Sequence, residues 1–194
     1  MWCDATVAST CGVGGTPGDV NSCALRCLPN LCAGDLGAGD LLMTELMVDP
    51  SEGGADCEWI ELYNTTDQVI ELRGLLLVDG ETPNLYRSPN LVEGSVQPRD
   101  YALIMNDASS CQATCMPAVA ASWLQHASLN NSGDTLTLAS GDLIVDQVVY
   151  DRPPVDGVSL QLDIDQNQWC VSSAVNPSCP GERSTPLAPS ICHP

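Results

Sequence analysis

The sequence predicts an all-β protein, a β-sandwich stapled by disulfides. From Leu41 onward, short apolar or alternating runs are broken roughly every 8 to 14 residues by Gly, Pro, Asn or Asp, a rhythm typical of sandwiches rather than of crossover helices. The chain has no Phe and only 4% aromatic residues. Its core must therefore be built from Leu, Val, Ile, Met and four Trp, with help from covalent cross-links.

The cysteine content indicates an oxidising compartment. The chain has 11 Cys but only two His, and no Cys-x-x-Cys spacing occurs, which argues against zinc sites and favours disulfides. All of the cysteines are disulfide candidates: Cys3, Cys11, Cys23, Cys27, Cys32, Cys57, Cys111, Cys115, Cys170, Cys179 and Cys192.

An internal repeat organises the chain. The pattern Trp2-Cys3, Cys11, Thr16-Pro17 and Cys23 recurs in the same order as Trp169-Cys170, Cys179, Thr185-Pro186 and Cys192. The sequence between the two copies is long enough for only one hydrophobic core, so we interpret the chain as a piece of a tandem array. We interpret residues 1–23 as a stub equivalent to the closing segment of a preceding repeat, 24–40 as a Cys-containing linker or cysteine-pinned loop, and 41–194 as the sandwich with its own Cys-rich closing segment.

Without the stub, eight cysteines remain for the complete unit, and eight cysteines allow 105 pairings. The closely spaced pairs Cys111–Cys115, Cys170–Cys179 and Cys3–Cys11 are our hypotheses. One stub cysteine, for example Cys23, would then be left to cross to another part of the unit or to a neighbouring chain.

Alternating apolar residues between turn signals place the strands. We predict strands at 41–48, 57–63, 69–78, 101–105, 135–139, 143–150 and 158–164, and a weaker one at 91–96. The small residues of 118–129 indicate an irregular crossing segment, with one or two helical turns as the alternative.

The charge excludes one class of partner. A formal net charge of -19, with six Arg and no Lys, repels phosphate backbones, so we expect no nucleic acid. No apolar run is long enough to span a bilayer, and the first residues carry no secretion signal. We expect an extracellular or cell-surface protein whose signal was removed or lies upstream, with Met1 an artificial or processed start.

An ordered set of motifs resembles the lamin-tail domain family. It comprises EWIELYN at 58–64, VIELRG at 69–74, VDG at 78–80, YALI at 101–104 after Pro98, LNNSGDTL at 129–136, VDQVVY at 145–150 and Ser159-Leu160. The resemblance covers roughly residues 41–162. It departs from the family at Arg99, where Gly is frequent, at Leu75, where Trp is common, and at Gln161, where a basic residue is frequent.

The resemblance implies an immunoglobulin-like β-sandwich without catalysis of its own. In exported bacterial proteins such domains occur as repeated modules or as appendages of secreted hydrolases, and the disulfides and the missing Lys fit that exported kind. In the strand at 58–63, Ile60 and Leu62 are expected to face the interior. Trp59, Glu61 and Tyr63 are expected to face outward or across an edge of the sheet. Trp59 is expected to pack on a loop or a disulfide, and carbohydrate stacking by Trp59 is the alternative.

The residues offer little for catalysis. His126 and His193 are poorly placed to activate a nucleophile. A pair of carboxylates for glycoside cleavage could be drawn from Glu45, Glu58 and Glu61, but acidic residues are so frequent here that chance pairs are expected. We therefore predict no enzyme and no catalytic residue.

Two further motifs have ordinary alternatives. Asp163, Asp165 and Asn167 alternate like the first ligands of a calcium loop, but the later EF-hand positions are missing, so a polar turn is the alternative to Ca²⁺, the one cofactor considered. Asn64 and Asn130 begin glycosylation sequons and also occupy predicted turns.

Two functions remain. The first is a non-enzymatic structural or adhesive module, the repeat unit of a secreted or cell-surface assembly whose partners are other copies or adjacent repeats, in a filament if the copies join head to tail. The alternative is an accessory module that anchors a larger secreted hydrolase to surface polysaccharide, with or without calcium.

Overall fold

The computed structural model describes residues 31–79, 91, 93–106, 109, 111, 118–123, 128–151 and 155–192. These residues contain eleven strands and two short 3₁₀ helices, Ala33–Asp35 and Gly54–Cys57. The strands are β1 Leu41–Met47, β2 Trp59–Asn64, β3 Ile70–Glu71, β4 Leu76–Asp79, β5 Ser95–Val96, β6 Tyr101–Met105, β7 Val119–Ser122, β8 Asp134–Ser140, β9 Leu143–Tyr150, β10 Leu160–Asp163 and β11 Gln168–Val171.

The strands form the predicted immunoglobulin-like sandwich. One layer is a six-stranded sheet in the order β11-β10-β1-β2-β6-β7, antiparallel except for the parallel pair β6 and β7. The other layer contains the three-stranded sheet β4-β8-β9 and the small pair β3-β5. Within the described residues no helix is long and apolar enough to cross a membrane.

The core lies between the layers and follows the period of two along each strand. The large sheet contributes Ile60 and Leu62 from β2, and the facing sheet contributes Leu136 and Leu138 from β8; all four are fully buried. Trp123 also lies in this core. We call this side of the six-stranded sheet its inner face and the opposite side its outer face.

A β-bulge in β1 reverses which side chains reach the outer face. Met43 pairs with Leu62 and Glu45 pairs with Glu61, so Thr44 is the extra residue. Without the bulge, Met43 and Glu45 would lie on the same face; with it, Met43 joins the core while Glu45 reaches the outer face. The Met43 amide donates to Asp146 Oδ2 on β9 at 2.7 Å, which secures the bulge to the facing sheet.

The strand predicted at 69–78 is wrong as a single element. The structure divides it into β3 and β4, which belong to different sheets. The chain turns at Gly74, whose φ of 95° is readily adopted only by glycine. A glycine inside an apolar run was the signal for this change of sheet.

Two strands were missed, and the weak one was too long. Residues 119–122, within the segment predicted to be irregular, form β7 beside β6, and β11 pairs with β10 around Trp169 and Cys170. In the predicted strand at 91–96, Leu91 makes an isolated bridge to Trp123 and only β5 is a strand. Short strands of small or polar residues carry a weak sequence signal, because long-range pairing decides them.

Part of the predicted linker packs onto the sandwich. Leu31 forms a bridge with Ile70, and Ala33 and Leu36 are buried members of the core. The predicted stub, residues 1–23, lies outside the described residues.

Substitution of Gly133 should be much more costly than substitution of Gly141. An alanine Cβ at Gly133 would lie 2.4 Å from the Asp151 carbonyl oxygen, whereas nothing lies within 4 Å at Gly141. Both have positive φ, so Gly141→Ala should cost about 1 kcal/mol of unfolding free energy, and Gly133→Ala about 3 kcal/mol or more. Denaturant unfolding measures both; equal losses would contradict the close approach.

Candidate functional site

The outer face of the six-stranded sheet is covered by the closing segment, which we define as residues 172–192. Its course is fixed by backbone bonds: the Ser159 amide donates to the Arg183 carbonyl at 3.0 Å, and the Arg183 amide donates to the Gly157 carbonyl at 2.8 Å. Near its end, the Ile191 amide donates to Gln161 Oε1 on β10 at 3.1 Å. The segment therefore forms a third layer on the sandwich.

Glu45 is one of two buried carboxylates beneath this layer, and it is only 1% exposed. Its Oε1 accepts hydrogen bonds from the Ser159 hydroxyl at 2.5 Å, the Gln161 amide group at 3.0 Å and the Thr185 backbone amide at 2.9 Å. Burial raises the pKa of Glu45, although these hydrogen bonds act in the opposite direction. The carboxylate thus joins β1, β10 and the closing segment.

Glu61 is the second buried carboxylate, directly opposite Glu45 on β2, and it is also 1% exposed. The Thr44 hydroxyl donates to its Oε1 at 2.8 Å, and the Leu187 amide donates to its Oε2 at 2.6 Å. Burial, and secondly the charge of Glu45, raise the pKa of Glu61 to about 8. At neutral pH Glu61 therefore retains its proton, so the pair carries less charge than two carboxylates would.

This arrangement suits fastening rather than catalysis. Each carboxyl group is buried and already accepts hydrogen bonds from the closing segment, so a substrate could reach neither without displacing that segment. Sequence reasoning named Glu45 and Glu61 but missed their partners in the closing segment, which are Thr185 for Glu45 and Leu187 for Glu61. The repeated Thr-Pro at 185–186 was the available signal for them.

Glu58, the third acidic residue considered for catalysis, lies apart from this pair. Its Oε2 accepts hydrogen bonds from the Leu129 amide at 3.1 Å and from the Asn106 side chain at 3.4 Å. Burial raises its pKa to about 7. Glu58 thus fastens the chain around Leu129 to the start of β2.

Trp59 lies on the outer face, as expected, but is covered rather than exposed. It is 1% exposed and forms a second apolar cluster with Met47, Leu103 and Met105, against which Cys111 packs. Cys111 is bonded to Cys57, so the cluster that contains Trp59 packs beside a disulfide; this agrees with the prediction that Trp59 packs on a loop or a disulfide. Glu61 and Trp59 lie on the same face of β2, so this face has a polar part and an apolar part.

The disulfides differ from the hypothesised short pairs. The structure joins Cys57 to Cys111, with a Cα–Cα distance of 4.9 Å, and Cys170 to Cys192, at 5.7 Å. Adjacent strands β2 and β6 bring the first pair together, and the path of the closing segment over β10 and β11 brings the second together. Cys111–Cys115 and Cys170–Cys179 are therefore wrong, whereas Cys3–Cys11 lies outside the described residues. Cys32 and Cys179 are disulfide-bonded as well.

The calcium candidates lie in the turn between β10 and β11. Both oxygens of Asp163 accept hydrogen bonds from Gln166, one from its backbone amide and one from its side chain, each at 3.0 Å. Asn167 has a left-handed φ of 51°, which fits a turn role. Among the described residues, no group of three or more His, Cys, Asp or Glu is arranged to hold a metal ion.

A cavity of about 430 Å³ opens beside this turn. Its walls include Tyr63 and Tyr101, Asp163 and Asp165, and the end of the closing segment at 189–192. The tyrosines form a cross-strand pair on the outer face, with ring centroids 4.7 Å apart and planes inclined by 39°. Burial raises the pKa of Tyr101 to about 12, so its hydroxyl remains a hydrogen-bond donor.

The remaining candidates serve the fold or cannot be placed. The Asn64 side chain is fully buried and donates to the carbonyls of Gln68, Val96 and Gln97, which supports the turn interpretation over the sequon. Asn130 accepts from the Ser132 amide and hydroxyl, again as a turn residue. His126 and His193 lie outside the described residues.

The raised pKa of Glu61 predicts that the protein becomes less stable as the pH rises. The folded state keeps a proton up to about pH 8, whereas the unfolded state loses it near 4.5. Raising the pH from about 5 to about 8 should therefore lower the free energy of unfolding, by up to a few kcal/mol from this residue. Glu61→Gln should flatten the dependence; Asp142→Asn, at an exposed turn, should not. Parallel pH profiles of wild type and Glu61→Gln in thermal unfolding would contradict this assignment.

The Cys170–Cys192 bond should hold the closing segment on the sheet. Cys170→Ser/Cys192→Ser should lower the free energy of unfolding by about 3 kcal/mol, from the 22-residue separation. It should also expose the closing segment to limited proteolysis. Cys57→Ser/Cys111→Ser should cost about 4 kcal/mol but leave that segment protected. Identical cleavage patterns, mapped by mass spectrometry, would contradict this division of roles.

Arg99 shows how the chain departs from the motif set while keeping its backbone. It has a φ of 56°, a conformation that favours glycine, at the position where the resemblance leads one to expect Gly. Gln161, where a basic residue is frequent, is fully buried and binds Glu45.

Comparison with known families and proteins agrees with these features. Residues 36–152 match the sequence model of the Lamin Tail Domain, which is more than half of the chain. No curated protein matches the chain. The matched range contains β1 to β9, the bulge and both buried carboxylates, and the chain therefore belongs to the lamin tail domain family.

Proposed function

We propose that this chain is a non-enzymatic structural module of an extracellular or cell-surface assembly, of the exported bacterial kind and repeated in tandem. The buried state of Glu45 and Glu61 supports the absence of catalysis, because the two best-placed carboxyl groups are occupied by the closing segment. The disulfides support an oxidising compartment outside the cytosol.

The main support for the proposal is that the segment covering the outer face carries the sequence pattern that is repeated at the start of the chain. The closing segment covers the outer face through the amides of Thr185 and Leu187 and is anchored by Cys170 and Cys192. Residues 2–23 repeat the Trp-Cys, Cys, Thr-Pro, Cys pattern of residues 169–192, which comprise most of β11 and the closing segment. A segment with this pattern would be suited to cover the outer face of another lamin tail sheet, either in the preceding repeat or in a neighbouring chain whose own closing segment it displaces.

A second candidate function is favoured by the cavity beside Tyr63 and Tyr101. An accessory module that anchors a secreted hydrolase to surface polysaccharide would need such an aromatic surface. Calcium at Asp163, Asp165 and Asn167 would belong to this role. The anchoring function does not explain the sequence repeat, and for this reason we place this function second.

Assembly of the intact chain tests the proposal. Over about a hundredfold range of concentration, sedimentation velocity and negative-stain imaging should show oligomers or fibres that grow with concentration. A chain that lacks residues 1–23 should remain a single module, since it keeps its own closing segment and has no second copy of that pattern that could displace the closing segment of a neighbour.

A dispersed 20.4 kDa species at every concentration, with and without residues 1–23, would contradict assembly between chains. Retention of that monomer on insoluble polysaccharide, lost on chelation of calcium, would instead favour the anchoring function.

A further inference from the structure

The cavity beside the tyrosine pair has preformed walls. Ile191 is held by the bond from its amide to Gln161, and its neighbour Cys192 is disulfide-bonded to Cys170. Asp163, which also lines the cavity, accepts two hydrogen bonds from Gln166. A ligand that enters would therefore find the site ordered, and little conformational entropy would be lost on binding. Its volume of about 430 Å³ lies in the range of known ligand sites.

The charges around the cavity select a cation. Asp163 and Asp165 are among the described residues that line the cavity, and none of these described residues is Lys, Arg or His. The formal net charge of the whole chain is -19, so the protein as a whole repels anions and attracts cations. Arg99, which also hydrogen-bonds to Tyr63, lies outside the lining and is paired with Asp67 at 3.0 Å.

The tyrosines distinguish an organic cation from a metal ion. The face of an aromatic ring attracts an ammonium or guanidinium group within about 6 Å of its centroid, and both Tyr63 and Tyr101 line the cavity. Calcium requires six to eight oxygen ligands at short distances, whereas the described residues contain no metal-binding cluster of acidic, His or Cys side chains.

We propose that this cavity binds one alkylammonium or guanidinium group, presented by a Lys or Arg side chain of a partner protein. The chain itself has no Lys and only six Arg, so a basic partner is its electrostatic complement. The proposal does not depend on assembly through residues 2–23, since the described residues that line the cavity belong to the sandwich and its closing segment.

Titration of the full chain with four small probes tests the proposal. Acetyl-arginine amide and acetyl-lysine amide represent the side chains, acetyl-citrulline amide is the neutral isostere of the first, and spermidine represents a free organic cation. In ¹H–¹⁵N spectra we expect shifts at residues 163–165 and 190–192, and affinities for the Arg and Lys probes at least about fivefold higher than for citrulline. Equal affinity for citrulline would overturn the proposal.

Two variants and a matched control locate the site. Asp165→Asn removes an exposed charge, and Tyr101→Leu removes an aromatic ring. Each substitution should lower the affinity for acetyl-arginine amide about fivefold. Asp142→Asn removes the same charge from the distant β8–β9 turn and should change nothing. Equal effects of Asp165→Asn and Asp142→Asn would overturn the site, as would binding of calcium chloride without binding of the amides. A preference for spermidine over both amides would overturn a protein side chain as the source.

Discussion

The outer face of the six-stranded sheet is constrained by two carboxyl groups that must be both buried and hydrogen-bonded. Burying such a group without partners costs several kcal/mol, so Glu45 and Glu61 could not be covered by an apolar layer. They require a covering segment that supplies hydrogen-bond donors, and the backbone amides of Thr185 and Leu187 are such donors. The closing segment is thus determined by the chemistry of the sheet beneath it.

This constraint makes the structural unit longer than the part that identifies the family. The match to the lamin tail domain ends at residue 152, but β10 pairs with β1 beyond that point, and Ser159 and Gln161 provide two of the bonds to Glu45. A chain cut at the family boundary would leave Glu45 and Glu61 without most of their donors. The residues beyond 152 are therefore part of the fold.

The sequence predicted the elements whose signals are local and missed those that depend on distant pairing. The alternating runs located β6 and β9 at their observed bounds, and the order of motifs identified the family. The bulge at Thr44 was missed because a change of face in β1 is visible only once Glu61 is known to lie opposite. Pairing of Cys57 with Cys111 could not be preferred over Cys111–Cys115, because loop-closure entropy favours the shorter loop whereas strand order decides the outcome.

Each of the two disulfides Cys57–Cys111 and Cys170–Cys192 lies beside one part of the outer face. The apolar half, around Trp59, is flanked by the bond between Cys57 and Cys111, and the polar half, around Glu45, is closed by the bond from Cys170 to the end of the closing segment. Within the described residues, the closing segment forms isolated bridges rather than a strand of its own. A cross-link lowers the entropy of the open state. In a chain without Phe, this allows a sheet buried on both faces to persist with few aromatic side chains.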